Sequence, residues 1–401
     1  MRRNYSVFFL ILSFIVSFGV LLGNSKLNGA TAKAEETAVI SGISGKSFVL
    51  MDADSETVIF AENETEQRPI ASMCKIMTLL LCYEKAEKQG ISFEDKITVS
   101  ETAAGMGGSQ VFLEANAEYS VGDLLKSITV ASANDACVAM AEYFSGSEEI
   151  FVSEMNEKAK ELGMENTVFV NCTGLPKVGQ YSCAKDVAIM FRELIKHKEY
   201  FTFSTIWTDQ ISHPDNRVTE ISNTNKLVRF YDGCDGGKTG YTKEAGHCLC
   251  ASAKRNDMRL ISVVISAPDS KARFKAVSSM FNYGFANYTN KIIVDASSPL
   301  DFKVGVSGGK QSDCIAFPER SLYLFSKKNQ DRNIEMNFTV KDNLKAPIVK
   351  GDKLGVLSIY ENGVEIDSVN VFSGEDIGKK SYFDNVSDVI ENWGIAGNSE
   401  K

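Results

Sequence analysis

Histidine is close to absent from this sequence: His197, His213 and His247 are the only three in 401 residues. None stands in a G-x-S-x-G or H-E-x-x-H setting, so a histidine-based triad or a histidine-bound zinc has no residues to work with. All three read as core or surface side chains. No C-x-x-C pair or Cys/His cluster has zinc-ligand spacing, and no P-loop or dinucleotide glycine pattern occurs. Positive charge is also in short supply, with 43 Lys+Arg against 52 Asp+Glu and a formal charge of −9. An acidic surface argues against nucleic acid and other polyanions. Acidic pairs such as Glu148-Glu149 and Asp52/Asp54 read as helix-start and turn residues rather than a glycosidase dyad.

Cysteine is plentiful but does not form a disulfide pattern. The nine positions (74, 82, 137, 172, 183, 234, 248, 250 and 314) are odd in number, and several fall inside apolar runs where a free thiol behaves as a small hydrophobe. In an exported chain this composition carries the hypothesis of a reducing niche; mostly oxidised thiols, titrated after denaturation without reductant, would overturn it.

Export is the expectation at the N-terminus. Arg2 and Arg3 precede a charge-free, mostly apolar run over residues 7–22, and Ala32-Lys33-Ala34 is a small-x-small cleavage site. Residues 1–34 therefore read as a signal peptide. The alternative is an uncleaved anchor, since a run of about 16 residues nearly reaches the roughly 17 to 25 of a spanning helix. Removing 1–34 takes away four positive charges and no acids, which leaves a more acidic mature chain long enough for two domains.

Residues 35–289 mix strands and helices. Strands are expected at 48–52 and 57–61, around the turn residues Asp52-Ala53-Asp54-Ser55. A helix then opens at Ser72, with Ile76, Leu79, Leu80 and Tyr83 at three-and-four spacing until Gly90. Further helices are expected at 121–127, 135–144, 148–162 and 184–196, strands at 248–253 and 260–266, and a last helix at 270–288. Strands, a run of helices, then strands again predict an α+β fold, a helical cluster inserted into an antiparallel sheet. Residues 290–376 switch to short apolar stretches around polar turns, with Glu361-Asn362-Gly363 as a hairpin cue, and predict a small all-β, sandwich-like domain. In 377–401, Tyr382, Phe383, Val386, Val389, Ile390 and Trp393 share one helical face. Two readings stand: a helix docked on the protein, or one lying on a membrane, although Asp384, Asp388 and Glu391 are acidic where lysine is usual.

Three short motifs carry chemistry. Ser72-Met73-Cys74-Lys75 puts a serine at a helix start and a lysine one turn on. Serine is a poor nucleophile without a base, and lysine serves as one where burial and a nearby cation leave it neutral. Ser132-Ala133-Asn134 offers a hydroxyl to pass a proton between Lys75 and a leaving amine, and an amide to hold a substrate carbonyl and orient Lys75. Helix capping is the competing reading for Ser132 and Asn134. Lys238-Thr239-Gly240 supplies a positive charge, a hydroxyl for a substrate carboxylate, and a bare strand against which an extended peptide can pair. The first two motifs have decoys at Ser182-Cys183-Ala184-Lys185 and Ser368-Val369-Asn370; the third occurs once. What raises them above chance is their order, Ser72 to Ser132 to Lys238, each in a suitable local setting.

This ordered triple is the signature of penicillin-binding proteins and class A β-lactamases, with S-D-N here reading S-A-N. The chain resembles the D-alanyl-D-alanine carboxypeptidase family of low-molecular-mass penicillin-binding proteins. The resemblance extends to Arg68-Pro69-Ile70-Ala71-Ser72, Gly107-Gly108-Ser109-Gln110, Asn171-Cys172-Thr173-Gly174-Leu175-Pro176 and Asp235-Gly236-Gly237-Lys238-Thr239-Gly240-Tyr241-Thr242. It implies a penicillin-binding-protein/β-lactamase-like transpeptidase fold followed by the small β domain, and a terminal helix similar to the family's peripheral membrane anchor. It implies acyl transfer from peptidoglycan stem peptides ending in D-Ala-D-Ala, at the outer face of the cell membrane or in the wall, with β-lactams as covalent inhibitors. Ser72 is the implied nucleophile, and the oxyanion site is the N–H groups of Ser72 and Tyr241. Lys185 stands where relatives often have an arginine that helps bind the substrate carboxylate; lysine keeps the charge but not the two-pronged geometry. No metal or organic cofactor is implied, because a serine, two lysines and a backbone oxyanion site suffice. Two rival readings remain. One is a class A-like β-lactamase, which would need an added glutamate that no E-x-x-L-N-like segment between Ser132 and Lys238 supplies. The other is a non-catalytic penicillin-sensing wall-binding protein, which would be marked by loss of a catalytic residue.

Overall fold

The computed structural model describes residues 40–384 apart from 41, 215, 331 and 383. The expected signal peptide and the terminal helix beyond Asp384 lie outside the described residues. No described helix is long and apolar enough to cross a membrane.

In chain order the strands of the first domain are β1 (Ser47–Asp52), β2 (Val58–Glu62), β3 (Lys96–Thr98), β4 (Glu118–Ser120), β5 (Thr208–Ser212), β6 (Val218–Ser222), β7 (Cys234–Thr242), β8 (Gly246–Arg255) and β9 (Met258–Ala267). Its helices are α1 (Lys75–Gln89), α2 (Glu101–Ala104), α3 (Val121–Lys126), α4 (Asn134–Ser145), α5 (Glu148–Glu161), α6 (Ala184–Leu194), α7 (Tyr200–Ser204), α8 (Leu227–Phe230) and α9 (Ser270–Asn287).

Five strands form one sheet in the order β2-β1-β9-β8-β7, with every neighbouring pair antiparallel. The period of two along each strand divides the apolar side chains between two cores. Val49, Met51, Cys250, Val263 and Ile265 join α1, α4, α5 and α6 on one face. Phe48, Leu50, Leu249, Leu260 and Val264 meet Val277, Met280 and Phe281 of α9 on the other. A sheet covered on both faces explains why β1 and β9 read as nearly continuous apolar runs. Each large apolar side chain so buried contributes about 1.5–3 kcal/mol of transfer free energy. Helix starts follow their polar residues: Ser120, Ser147, Cys183 and Asp269 each accept the N–H three residues on.

Two departures from the expected elements fall at the site. Ala71–Cys74 is a 3-10 turn and α1 begins only at Lys75, because Ala71 adopts φ 49°, outside helical space. After α3 the chain continues as a π turn, Ser127–Ala131, and ends on Ser132 in the left-handed conformation, φ 64°. Ser132 and Asn134 therefore do not cap α4; its N-cap is Ala133, with no side-chain bond.

The second domain holds β10 (Tyr288–Val294), β11 (Lys303–Gly305), β12 (Asp313–Pro318), β13 (Leu322–Lys327), β14 (Ile334–Val340), β15 (Lys353–Glu361) and β16 (Val364–Ser373). A five-stranded sheet, β11-β12-β16-β15-β14, and the pair β10-β13 share one core around Val294, Cys314, Leu322, Leu354 and Val371. The expected turn at Asn362-Gly363 joins β15 to β16.

Candidate active site

Ser72 sits in the 3-10 turn with its lysine one turn on. Lys75 is fully buried, and its Nζ donates to Ser72 Oγ at 3.0 Å and to the backbone carbonyl of Thr173 at 2.5 Å. That carbonyl is held in place by Asn171. The Asn171 Oδ1 accepts from Gly174 N at 2.7 Å and from Thr173 N and Gln180 Nε2, while its Nδ2 donates to Leu175 O at 2.9 Å. Gly174 has φ +80°, and a Cβ there would lie 2.1 Å from Ala71 O and 3.0 Å from Ser72 N. Only glycine lets this loop close against the backbone of Ala71 and Ser72. Asn171 and Thr173 belong to the motifs on which the resemblance rests, but no side-chain pattern in the sequence says that a carbonyl will serve Lys75.

The second lysine enters from β7. Lys238 is buried, and its Nζ donates to Ser132 Oγ at 2.8 Å and to Thr239 O at 3.1 Å. Burial first, then the positive charges of Lys75 and Arg273, hold its pKa well below the ordinary lysine value. Strain at Ser132, a left-handed residue after a π turn, aims its hydroxyl between the helical domain and β7. Asn134 is buried beside it. Its Nδ2 donates to Gly107 O and its backbone N–H to Ser109 O, both at 2.7 Å, which ties the 107–113 loop to the start of α4. Among the described residues Lys75 is oriented by Thr173 O rather than by Asn134. Asp135 completes that tether by accepting the N–H groups of Val111 and Leu113.

β7 is an edge strand, so its outer side is free to pair with an extended peptide. Gly240 lies directly against the turn that carries Ser72: a Cβ there would meet Ile70 O at 2.5 Å and Met73 N at 3.3 Å. The next residue, Tyr241, is 60% exposed, with its ring stacked on His247 at 4.4 Å. Arg273, near the start of α9, donates from Nη1 to Gly240 O at 3.1 Å and Cys248 O at 3.3 Å, and its Nε is buried without a partner. Burial depresses its pKa. Nothing in the sequence marks this arginine, since it lies 33 residues beyond Gly240 on an ordinary amphipathic helix.

Ser72, Lys75, Ser132, Asn134, Lys238, Thr239, Gly240 and Tyr241 thus gather where the helical cluster meets β7. Lys185 does not join them. It is exposed in the first turn of α6, with its N–H on Glu64 O just past β2, the opposite edge of the sheet. The decoy serine, Ser182, is buried and bonded to Thr167 Oγ1 at 2.7 Å. His213 is a core residue bonded to Tyr119 and Thr219, and His197 stacks on Tyr83. All nine cysteines are buried and unpaired, and burial pushes the thiols of Cys74, Cys137 and Cys172 up, which makes them inert packing groups under the site.

A family model described as D-alanyl-D-alanine carboxypeptidase matches residues 31–269, and one described as the C-terminal domain of penicillin-binding protein 5 matches residues 288–379. The chain is 42% identical to D-alanyl-D-alanine carboxypeptidase DacF of Bacillus subtilis, covering 87% of this chain and 90% of the relative. It is 32% identical to DacC of Escherichia coli, over 89% and 90%. Among solved structures it is similar to penicillin-binding protein 5 from Haemophilus influenzae, with a TM-score of 0.67, 30% identity and coverage of 84% of this chain and 98% of that one. It is also similar to a peptidoglycan synthesis regulatory factor, PBP3, from Streptococcus pneumoniae, with a TM-score of 0.70, 26% identity and coverage of 84% and 99%. With Ser72, both lysines and the free strand edge brought together, and with relatives matching across both domains, the chain belongs to the D-alanyl-D-alanine carboxypeptidase family.

Proposed function

We propose that this protein is a serine-type D-Ala-D-Ala carboxypeptidase that removes the terminal D-alanine of peptidoglycan stem peptides through an acyl-enzyme on Ser72. The observation that carries the reading is the pair of lysine–serine hydrogen bonds, Lys75 to Ser72 and Lys238 to Ser132, with the two lysines near enough for the charge of one to act on the other.

The peptide lies along the free edge of β7 with its terminal carboxylate at the Thr239 hydroxyl, in the positive field of Lys238 and Arg273. Lys75 takes the Ser72 proton as Oγ attacks the carbonyl of the penultimate D-alanine. The N–H groups of Ser72 and Tyr241 hold the oxyanion, and Asn134 offers its side chain to the substrate amide. Ser132, bonded to Lys238, relays the proton to the departing D-alanine amine. Water then enters the cleft and hydrolyses the ester. A β-lactam takes the same path to the acyl-enzyme and stalls there. The leader-like pattern of residues 1–34 supports export to the outer face of the membrane, and the spacing of the apolar residues in 377–401, which would share one face of a helix, supports peripheral contact with it. D-alanine release from a peptide ending in D-Ala-D-Ala, with Ser72→Ala as control, tests the assignment: no release, or equal release by the variant, overturns it.

A further inference from the structure

The five-stranded sheet of the second domain ends on β14, and among the described residues no strand pairs with its outer side. Sheet edges that stay single are usually blunted by shortness, lysine, proline or a bulge. β14 has none of these: it runs seven residues, Ile334–Val340, in unbroken register with β15, and Glu335 is its one charge. The opposite edge, β11, is three residues long.

One bond tells which backbone groups face outward. Lys341 N donates to Leu354 O at 2.8 Å, next to the Val340–Gly355 pair. Alternation along an antiparallel pair then turns the N–H and C=O groups of Glu335, Asn337 and Thr339 toward β15, and those of Ile334, Met336, Phe338 and Val340 away from it. Thr339 O does face β15: it lies 2.3 Å from where a Cβ on Gly355 would stand. The residues with outward amides also put their side chains on one face of the sheet. Ile334 and Phe338 pack on the domain core, and Phe338 meets Phe302 at 4.9 Å, but Met336 is 57% exposed and Val340 47%. Met336 and Phe338 border an apolar cleft of about 490 Å³ that Leu300, Phe302 and Leu357 also line. Free amides and an uncovered apolar stripe thus coincide on β14.

We propose that β14 is a homodimer interface, pairing antiparallel with β14 of a second copy about a two-fold axis at Asn337. That register sets Ile334 opposite Val340 and Met336 opposite Phe338 of the other copy, so every outward N–H and C=O of the strand finds a partner and the apolar stripe is covered. Glu335 falls opposite Thr339, which keeps like charges apart, and past the strand ends Arg332 falls opposite Asp342. Residues 385–401 of the same chain suit this edge less well, since Val386, Val389, Ile390 and Trp393 recur at three-and-four spacing where a strand partner needs every second position.

The test is sedimentation velocity on the protein purified after export, without lipid or detergent. Between about 1 and 200 µM a reversible monomer–dimer equilibrium is expected, with Kd on the order of 10 µM, because a single strand pair belongs to the small class of interfaces. Met336→Pro removes an outward N–H and spares the ladder to β15, so it should weaken the dimer by about tenfold or more. Phe230→Lys, at an exposed apolar position of the first domain, should leave Kd within about twofold. Asn337→Cys reads the register without disturbing the strand. At the axis its two thiols face each other across a close pair, so mild oxidation should give a disulfide-linked dimer on a non-reducing gel. In Glu335→Cys the two thiols are offset by about 13 Å along the strands, and no such dimer should form. The nine native cysteines are buried and do not compete. A monomer at every concentration, a dimer untouched by Met336→Pro, or equal cross-linking of Glu335→Cys and Asn337→Cys overturns the proposal.

Discussion

Lys238 donates from Nζ to Ser132 Oγ at 2.8 Å across a junction that the chain takes 106 residues to close. The bond joins the edge strand β7 to the strained end of the π turn, so the two halves of the cleft meet through a buried charge. Function has been placed where it costs stability, since a buried ammonium without a carboxylate partner is held against its desolvation penalty.

Lys238→Met should therefore separate activity from stability. Loss of the charge and the Ser132 contact is expected to lower kcat by about 10²–10³-fold, while the melting temperature at neutral pH rises. The sign follows from linkage. An unfolded lysine keeps its proton to about pH 10.4, whereas folded Lys238 gives it up at a lower pH. Between those two values the unfolded chain binds more protons, so the destabilising effect of this group is full at low pH and fades as pH rises toward 10. Melting curves between pH 6 and 10 should converge for the unaltered protein and Lys238→Met at the alkaline end. A variant that melts lower at every pH would contradict this account.

Asn171 acts on the other lysine. Its side chain folds the 171–175 loop so that Thr173 O reaches Lys75, and it touches neither Ser72 nor Lys75 itself. Replacing it with alanine leaves buried N–H groups of Thr173 and Gly174 without an acceptor, a cost of about 1–3 kcal/mol. We expect acylation of Ser72 by a fluorescent penicillin to slow by about 10–100-fold and its pH profile to move, because the carbonyl that partners Lys75 is displaced. Asn171→Asp, which keeps the acceptor, should recover most of the rate. Equal rates for Asn171→Ala and the unaltered protein would remove Asn171 from a positioning role.

Much of this was legible in the sequence because it depends on short-range pattern. The apolar runs of β8 and β9, the spacing of Ile76, Leu79, Leu80 and Tyr83, and the Asn362-Gly363 turn are local signals, and the elements formed around them. The three motifs were likewise visible as words, and the fold brought all of them to one cleft. What the sequence hid is long-range or made of backbone. Ala71 at φ 49° and Ser132 at φ 64° are residue types with no preference for that conformation, so tertiary contacts impose it. The Thr173 carbonyl has no side-chain signature, and Arg273 arrives from a helix laid across the sheet's far face. Lys185 was misleading for the converse reason: a charged residue in a family-like motif lies at the other edge of the sheet.

The two cations give a paired prediction for substrate carboxylate. Arg273 is half-buried against Gly240 O, with its Nε buried and unpartnered, whereas Lys185 is exposed beside β2. Arg273→Ala should raise KM for a D-Ala-D-Ala peptide by about tenfold, as removal of a partly buried charged contact does, and Lys185→Ala should leave it within about twofold. An esterified substrate, which lacks the carboxylate, should blunt the Arg273 effect. A larger KM change for Lys185→Ala than for Arg273→Ala would restore the role that sequence resemblance assigned to Lys185.

Asp52, at the turn after β1, supplies a pH effect remote from the site. Its carboxyl is buried, with Oδ1 accepting Ser55 N at 2.8 Å and Ser55 Oγ at 2.7 Å and Oδ2 unpartnered, and burial raises its pKa from 3.8 to about 6. Here the folded state binds the extra proton, so stability falls as pH rises through the window from about 4 to 6, and the full cost is present above it. Asp52→Asn keeps the acceptor for Ser55 and removes the charge. It should stabilise the protein by about 1–2 kcal/mol at pH 7.5 and by little at pH 4.5, measured by urea unfolding at the two values. D-alanine release should be unchanged, because Asp52 lies on β1, three strands from β7. A gain as large at pH 4.5 as at pH 7.5 would mean that the substitution acts through packing and that the Asp52 charge carries no cost.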